Sequence, residues 1–125
     1  MIIDCEIYLE QGGSHGLEEI IALEDEAGVD MAVLMPDPAL RPPNAWLRDQ
    51  AGGNPRFILC ASINPQFGAE GVEEFKTAVQ EWGFNGLKLM PPKHGYRIVD
   101  QTVYPLMEAA AELEGVGSIH SGQQF

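Results

Sequence analysis

Five short apolar runs punctuate this chain, and a helix-period segment follows each of the first four. The runs are IIDCEIYL (2–9), MAVLMP (31–36), RFILCASINP (56–65), GLKLMPP (86–92) and VGSIHSG (116–122). Three of them close on proline, which cannot donate to a sheet ladder and so marks a strand end. Between them lie GLEEIIALEDEAGVD, PNAWLRDQAGG, GAEGVEEFKTAVQEWG and DQTVYPLMEAAAELEG. Leu17, Ile20, Ile21 and Leu23 in the first, and Val72, Phe75, Val79 and Trp82 in the third, recur at helical spacing. Pro105 falls in the first turns of the last helix, where it is tolerated. The order is βαβαβαβαβ, with connections long enough for right-handed parallel crossovers.

That order predicts a single α/β domain over residues 1–125, and two architectures accommodate it. One is a partial (β/α) TIM-barrel-like fold of about five strands and four helices, since a full barrel needs ~250 residues. The alternative is a five-stranded doubly wound flavodoxin-like sheet. The first strand separates them. Strict alternation puts Ile3, Cys5, Ile7 and Leu9 on one face and Asp4, Glu6 and Tyr8 on the other. In a doubly wound sheet both faces of a central strand lie under helices, and Asp4 would be buried at a cost of several kcal/mol if charged. A barrel strand has one face toward helices and one toward the polar mouth, which suits this pattern.

Composition excludes several classes. With 19 acidic against 7 basic residues the formal charge is −12, which opposes binding to nucleic acid or an anionic membrane. Most of the excess lies in helix-like stretches and reads as solvated surface. No apolar run approaches the ~20 residues of a membrane span. The N-terminus lacks a secretory signal pattern, and a cytoplasmic location is expected. Cys5 and Cys60 both sit in apolar runs and are expected as buried, reduced thiols. Trp46 and Trp82 fall on helices and read as packing residues. No nucleophile elbow, phosphate-cradling loop or CxxC pair is present.

IDCEIYL resembles the first strand of the amidohydrolase-related superfamily, whose barrels begin with an I-D-x-H-x-H-L stretch. GFNGLKLMPP and then HGYRIVDQTVYPLMEAAAELEGVGSIHSG resemble its strand-four to strand-five region, down to the I-H-x-G of strand five. The ordered set covers nearly the whole chain and corresponds to strands one to five of such a barrel. The resemblance implies a metal-dependent hydrolase or nonoxidative decarboxylase acting on a small carboxylated or ring-containing substrate. It also implies a divalent metal, zinc or manganese, held by two strand-one histidines, the strand-five histidine and a strand-eight aspartate. Here those first three positions carry Glu6, Tyr8 and His120, and the strand-eight aspartate has no counterpart. Glu6 and His120 are thus the candidate metal ligands, with Asp4 behind them. Tyr8, protonated at a pKa of ~10, is a hydrogen-bond donor or substrate contact. The catalytic candidates are Glu6, His120 and Tyr8.

Substrate contacts are expected from residues after the strands. His15 lies in the glycine-rich loop after strand one, and His94, Tyr96 and Arg97 lie in the loop after strand four. Ser62 and Asn64 end strand three. Lys88 is the natural cation, expected to pair with Asp4 or Glu6 and hold Glu6 ionised. Each residue also has a plainer reading. Glu6 would be an interior carboxylate, His120 a core histidine bonded to one, and the loop histidines solvated. The alternative functions are a non-catalytic half-barrel and a doubly wound binding domain. A chain truncated from a longer parent, or a homo-oligomer covering the open sheet edges, would follow from the first of these.

Overall fold

The computed structural model describes residues 1–13, 15–37 and 43–122. The chain divides into two compact units, Met1–Cys60 and Ala61–Phe125. The first holds β1 (Ile3–Leu9), α1 (Leu17–Ala27), β2 (Met31–Pro36), α2 (Pro43–Ala51) and most of β3 (Phe57–Ser62). The second holds a 3₁₀ turn at Pro65–Phe67, α3 (Ala69–Gln80), β4 (Gly86–Leu89), α4 (Pro91–His94), a 3₁₀ turn at Gln101–Val103, α5 (Tyr104–Glu112) and β5 (Val116–Ile119). All five strands and all four long helices expected from the periodicity are present, in the order of a partial (β/α) TIM-barrel-like fold. The single turn α4 is an addition. Its Pro91-Pro92 start reads as a strand stop, but proline is also at home in a first helical turn.

In the first unit β2 pairs in parallel with both β1 and β3. A flavodoxin-like sheet would place β1 between the other two, so this order excludes the doubly wound alternative. The exposure of Ile3–Glu6 also contradicts a helix-covered central strand. The core of this unit gathers Leu9, Ile20, Leu34, Met35, Leu47, Ala51, Phe57 and Leu59. α1 ends at Gly28, whose φ of 74° places it in the left-handed region. The following Val29 N–H then reaches back to Glu24 O at 2.8 Å and closes the helix.

The alternation expected along β1 does not hold through its middle. Asp4 pairs with Ala32 and Ile7 with Leu34, so three steps on β1 match two on β2. This is a β-bulge, and one extra residue reverses the facing of what precedes it. Asp4 and Ile7 consequently share a face with α1, whereas Glu6 and Tyr8 point the other way. The Asp4 side chain supports the bulge, its Oδ1 accepting the Glu6 N–H at 3.2 Å. Cys5 falls in the unmatched stretch and is exposed, a correction to its expected burial; Cys60 is buried as expected.

Beneath α1, Glu24 is 5% exposed, and Arg56 serves it together with Asp25. The guanidinium lies 2.7 Å from Asp25 Oδ1 but only 3.5 Å from Glu24 Oε2, and it also donates to Val29 O. Burial raises the Glu24 pKa, opposed by Arg56 and reinforced by Asp4 and Asp25. The native state therefore holds this proton more tightly than the unfolded chain. That contribution to stability is full below the ordinary carboxylate value near 4.5 and is lost as pH rises through the higher native value. Glu24→Gln should remove this slope from a plot of unfolding free energy against pH, measured by urea titration.

The second unit packs α3 and α5 around Phe75, Ala78, Phe84, Leu87, Leu89, Val103 and Leu106. The buried stripe of α3 is Gly71, Phe75 and Ala78, with Val72 and Val79 at its margins. At Gly71 a Cβ would lie 3.0 Å from the Ile63 side chain, so the helix comes close only because that position lacks one. Trp82 and Phe84 meet edge to face at 6.1 Å, consistent with the packing role expected for Trp82.

Candidate functional site

Strand ends and the loops after them carry the candidate residues of each unit. In the first unit, Glu6 and Tyr8 stand two residues apart on the β1 face turned away from α1. The Tyr8 hydroxyl donates to Glu6 Oε1 at 2.9 Å. Burial raises the Tyr8 pKa well above its usual value. The hydrogen bond to Glu6 and the Glu6 charge add to the rise, so the phenol stays protonated. Tyr8 is therefore a fixed donor that orients the carboxylate.

His15 follows in the next loop, with Nδ1 3.1 Å from Glu19 Oε1 one turn into α1. Both side chains are about half exposed, so this pair contributes little to stability. Around His15 lies a cavity of about 270 Å³ lined also by Glu10, Gln11, Trp46 and Gln50. Trp46, expected only to pack, thus borders a polar hollow after β1. Its helical spacing gave no sign of this, because the loop rather than the helix forms the hollow.

In the second unit the sheet aligns the polar residues. Lys88 pairs with Ser118 across β4 and β5, and its Nζ donates to Ser118 Oγ at 3.2 Å. Lys88 is 1% exposed. The His120 N–H donates to Leu89 O, continuing the same register. Two residues beyond Ser118, His120 lies on the same face as Lys88. Its Nε2 is buried without a hydrogen-bond partner among the described residues. The Ile63 N–H donates to Lys88 O in the same pattern, which sets buried Ser62 beside Lys88 on this face. Ser62, Lys88, Ser118 and His120 therefore form a polar strip across three strand ends. Ser118 was not anticipated, although its two-residue spacing from His120 marks it.

The loop candidates divide. His94 and Tyr96 stack with ring centroids 6.4 Å apart and planes 16° from parallel. Burial pushes the Tyr96 pKa up to about 12, against a lowering by the Met90 backbone. Arg97 is committed to Asp100. Its N–H donates to Oδ2 at 2.8 Å and its Nε to Oδ1 at 3.1 Å, while its side chain is 81% exposed. The backbone bond from Arg97 is the main cause holding the Asp100 carboxyl below its usual range. Asn64 likewise has a structural task, its Oδ1 capping the 3₁₀ turn by accepting the Gln66 N–H at 3.0 Å.

These donors bear on whether the chain can hold a divalent metal. Among the described residues no group of three or more His, Cys, Asp and Glu side chains is arranged to hold one. A catalytic zinc wants about three protein ligands. Taken singly, the Glu6 carboxylate and the His120 imidazole, whose Nε2 is buried without a hydrogen-bond partner among the described residues, are of donor types that divalent metals take. Among the described residues no helix is long and apolar enough to cross a membrane.

The sequence profile of the family described as Amidohydrolase matches residues 11–125. No curated protein matches this sequence. Among solved structures, a candidate amidohydrolase from Staphylococcus aureus superposes with a TM-score of 0.82 at 15% identity, covering 97% of this chain and 47% of that one. The 5-carboxyvanillate decarboxylase of Sphingomonas paucimobilis gives 0.76 at 18% identity, over 95% and 51% of the two chains. The 5-carboxyvanillate decarboxylase of Novosphingobium aromaticivorans, solved with manganese and a nitrobenzoic acid, gives 0.75 at 18%, over 96% and 50%. The chain spans about half the length of these structures.

Proposed function

The chain belongs to the amidohydrolase family, and from that premise we propose that it carries part of the active site of a metal-dependent nonoxidative decarboxylase or hydrolase. The substrate we assign is a small molecule, carboxylated or ring-containing. The observation that carries the decarboxylase form is Glu6, a carboxylate where hydrolases of the family resemblance place their first histidine. In this proposal Glu6 and His120 are metal ligands, zinc or manganese being the candidates. When bound, such an ion supplies Lewis acidity toward a substrate oxygen.

The chain's own groups then have defined tasks. Tyr8 holds the Glu6 carboxylate by a hydrogen bond and keeps its proton at neutral pH. Lys88, anchored on Ser118, offers a buried positive charge to a substrate carboxylate. His94, half-buried and stacked on the buried Tyr96, presents a flat ring that suits an aromatic substrate, and His15 borders the hollow after β1. Arg97 joins them as a carboxylate contact only if it exchanges Asp100 for substrate.

The test is release of CO₂ from a panel of hydroxylated benzoic acids by the manganese-loaded protein. Activity that falls to background in Glu6→Gln and His120→Ala is the expected result. Hydrolysis of esters or amides without CO₂ release would replace the decarboxylase form by the hydrolase form. Activity indifferent to both substitutions would remove these residues from the site.

One observation favours a second reading, a half-barrel that associates through its sheet edges. On β5, Val116 and Ile119 are 67% and 42% exposed, unusual for a parallel strand. Light scattering that finds a homo-oligomer, dispersed by Val116→Lys, is the result this reading expects.

A further inference from the structure

We propose that the groove between β1 and α1 receives an arginine side chain from a separate polypeptide segment. The groove has a volume of about 350 Å³ and is walled by Ile7, Ile20, Leu23, Ala27 and Val29, with Asp4 and Glu24 at its polar end. It belongs to the first unit alone and owes nothing to the amidohydrolase reading. The β1 bulge creates it by turning Asp4 onto the α1 side, where strict alternation would have pointed it away.

Charge identifies the occupant. Two carboxylates, Glu24 and Asp25, share the Arg56 guanidinium, which gives its short contact to Asp25, and Asp4 places a third negative charge near Glu24. Among the described residues Glu24 Oε1 is buried without a hydrogen-bond partner, although the residue lies almost wholly out of water. A buried carboxylate oxygen in that state loses its hydration for no return, and a charge-assisted donor restores it. The walls ask for an aliphatic stem leading to the cation, which is the form of arginine. A guanidinium also has the planar fork to reach two carboxylates at once.

The surroundings suit a peptide more than a free metabolite. Leu23, in the wall of the groove, is 50% exposed and leaves apolar surface for a residue flanking the arginine.

The experiment is a titration of the isotopically labelled chain with n-butylguanidinium, n-butanol and the tripeptide acetyl-Leu-Arg-Leu-amide, followed by amide resonances. The tripeptide should shift Ile7, Leu23, Ala27 and Val29 saturably, and bind more tightly than n-butylguanidinium. Glu24→Gln should weaken it by about tenfold, the effect of losing one charged contact. Ala27→Phe, a change at an exposed position that fills the groove, should block binding while leaving the folded spectrum intact. It decides the matter if Glu24→Gln does not fold. Failure of saturation, equal binding by n-butanol, or unchanged affinity in folded Glu24→Gln or Ala27→Phe would overturn the proposal. Tighter binding of n-butylguanidinium than of the tripeptide would also overturn it, by making the occupant a small cation.

Discussion

Phe75→Ala is expected to lower the stability of the second unit by about 3–5 kcal/mol, the usual cost of removing a buried aromatic ring and leaving a cavity. Phe75 is fully buried on α3. A Cβ placed at Gly115, just before β5, would lie 3.5 Å from the tip of its ring, so the ring also abuts the turn that feeds β5. Its loss should loosen α3 and the approach to β5 together. Amide exchange at Val116–Ile119 should accelerate along with exchange in α3. Trp82, packed on Phe84, gives a fluorescence signal from this unit. A urea midpoint within error of the parent protein would contradict the packing described.

The second large effect is expected at Arg56. Arg56→Met keeps the aliphatic stem but removes from Glu24, buried near Asp4 and Asp25, its ion-pair partner among the described residues. Removing one partner of a buried ion pair costs about 3–5 kcal/mol. Arg56 is 28% exposed and only 3.5 Å from Glu24, so solvent screening reduces the expectation to about 2 kcal/mol. The sign of the pH dependence is a sharper test. The loss should be greatest at neutral pH and shrink as Glu24 takes up its proton on acidification. An equal loss at pH 4 and pH 7 would point to lost packing instead.

The alternation of apolar runs and helical segments is enough to find every strand and every long helix among the described residues, because burial on two layers leaves that imprint directly in the residue order. The β1 face was only half legible. Glu6 and Tyr8 do share a face and a hydrogen bond, but Asp4 leaves them at a bulge that no turn residue or glycine announces. The same irregularity exposes Cys5. The strip of Ser62, Lys88 and His120 follows from strand parity, which persists where the ladder is regular. Loop residues were the least legible. Arg97 and Asn64 have the chemistry of ligand contacts, yet Asp100 three residues on and Gln66 two residues on claim them for local structure. Residue type alone does not distinguish a side chain serving its own loop from one offered to a ligand.

The most direct test of the central claim, that Glu6 and His120 are ligand donors of an amidohydrolase-type metal site, is manganese-induced broadening of assigned resonances. Sub-stoichiometric Mn²⁺ should broaden His120, Glu6 and Tyr8 before the acidic helices α1 and α3, and Zn²⁺ should reverse it by competition. Broadening confined to Glu18, Glu19, Glu73 and Glu74 on those helices, with His120 and Tyr8 untouched, would contradict the claim.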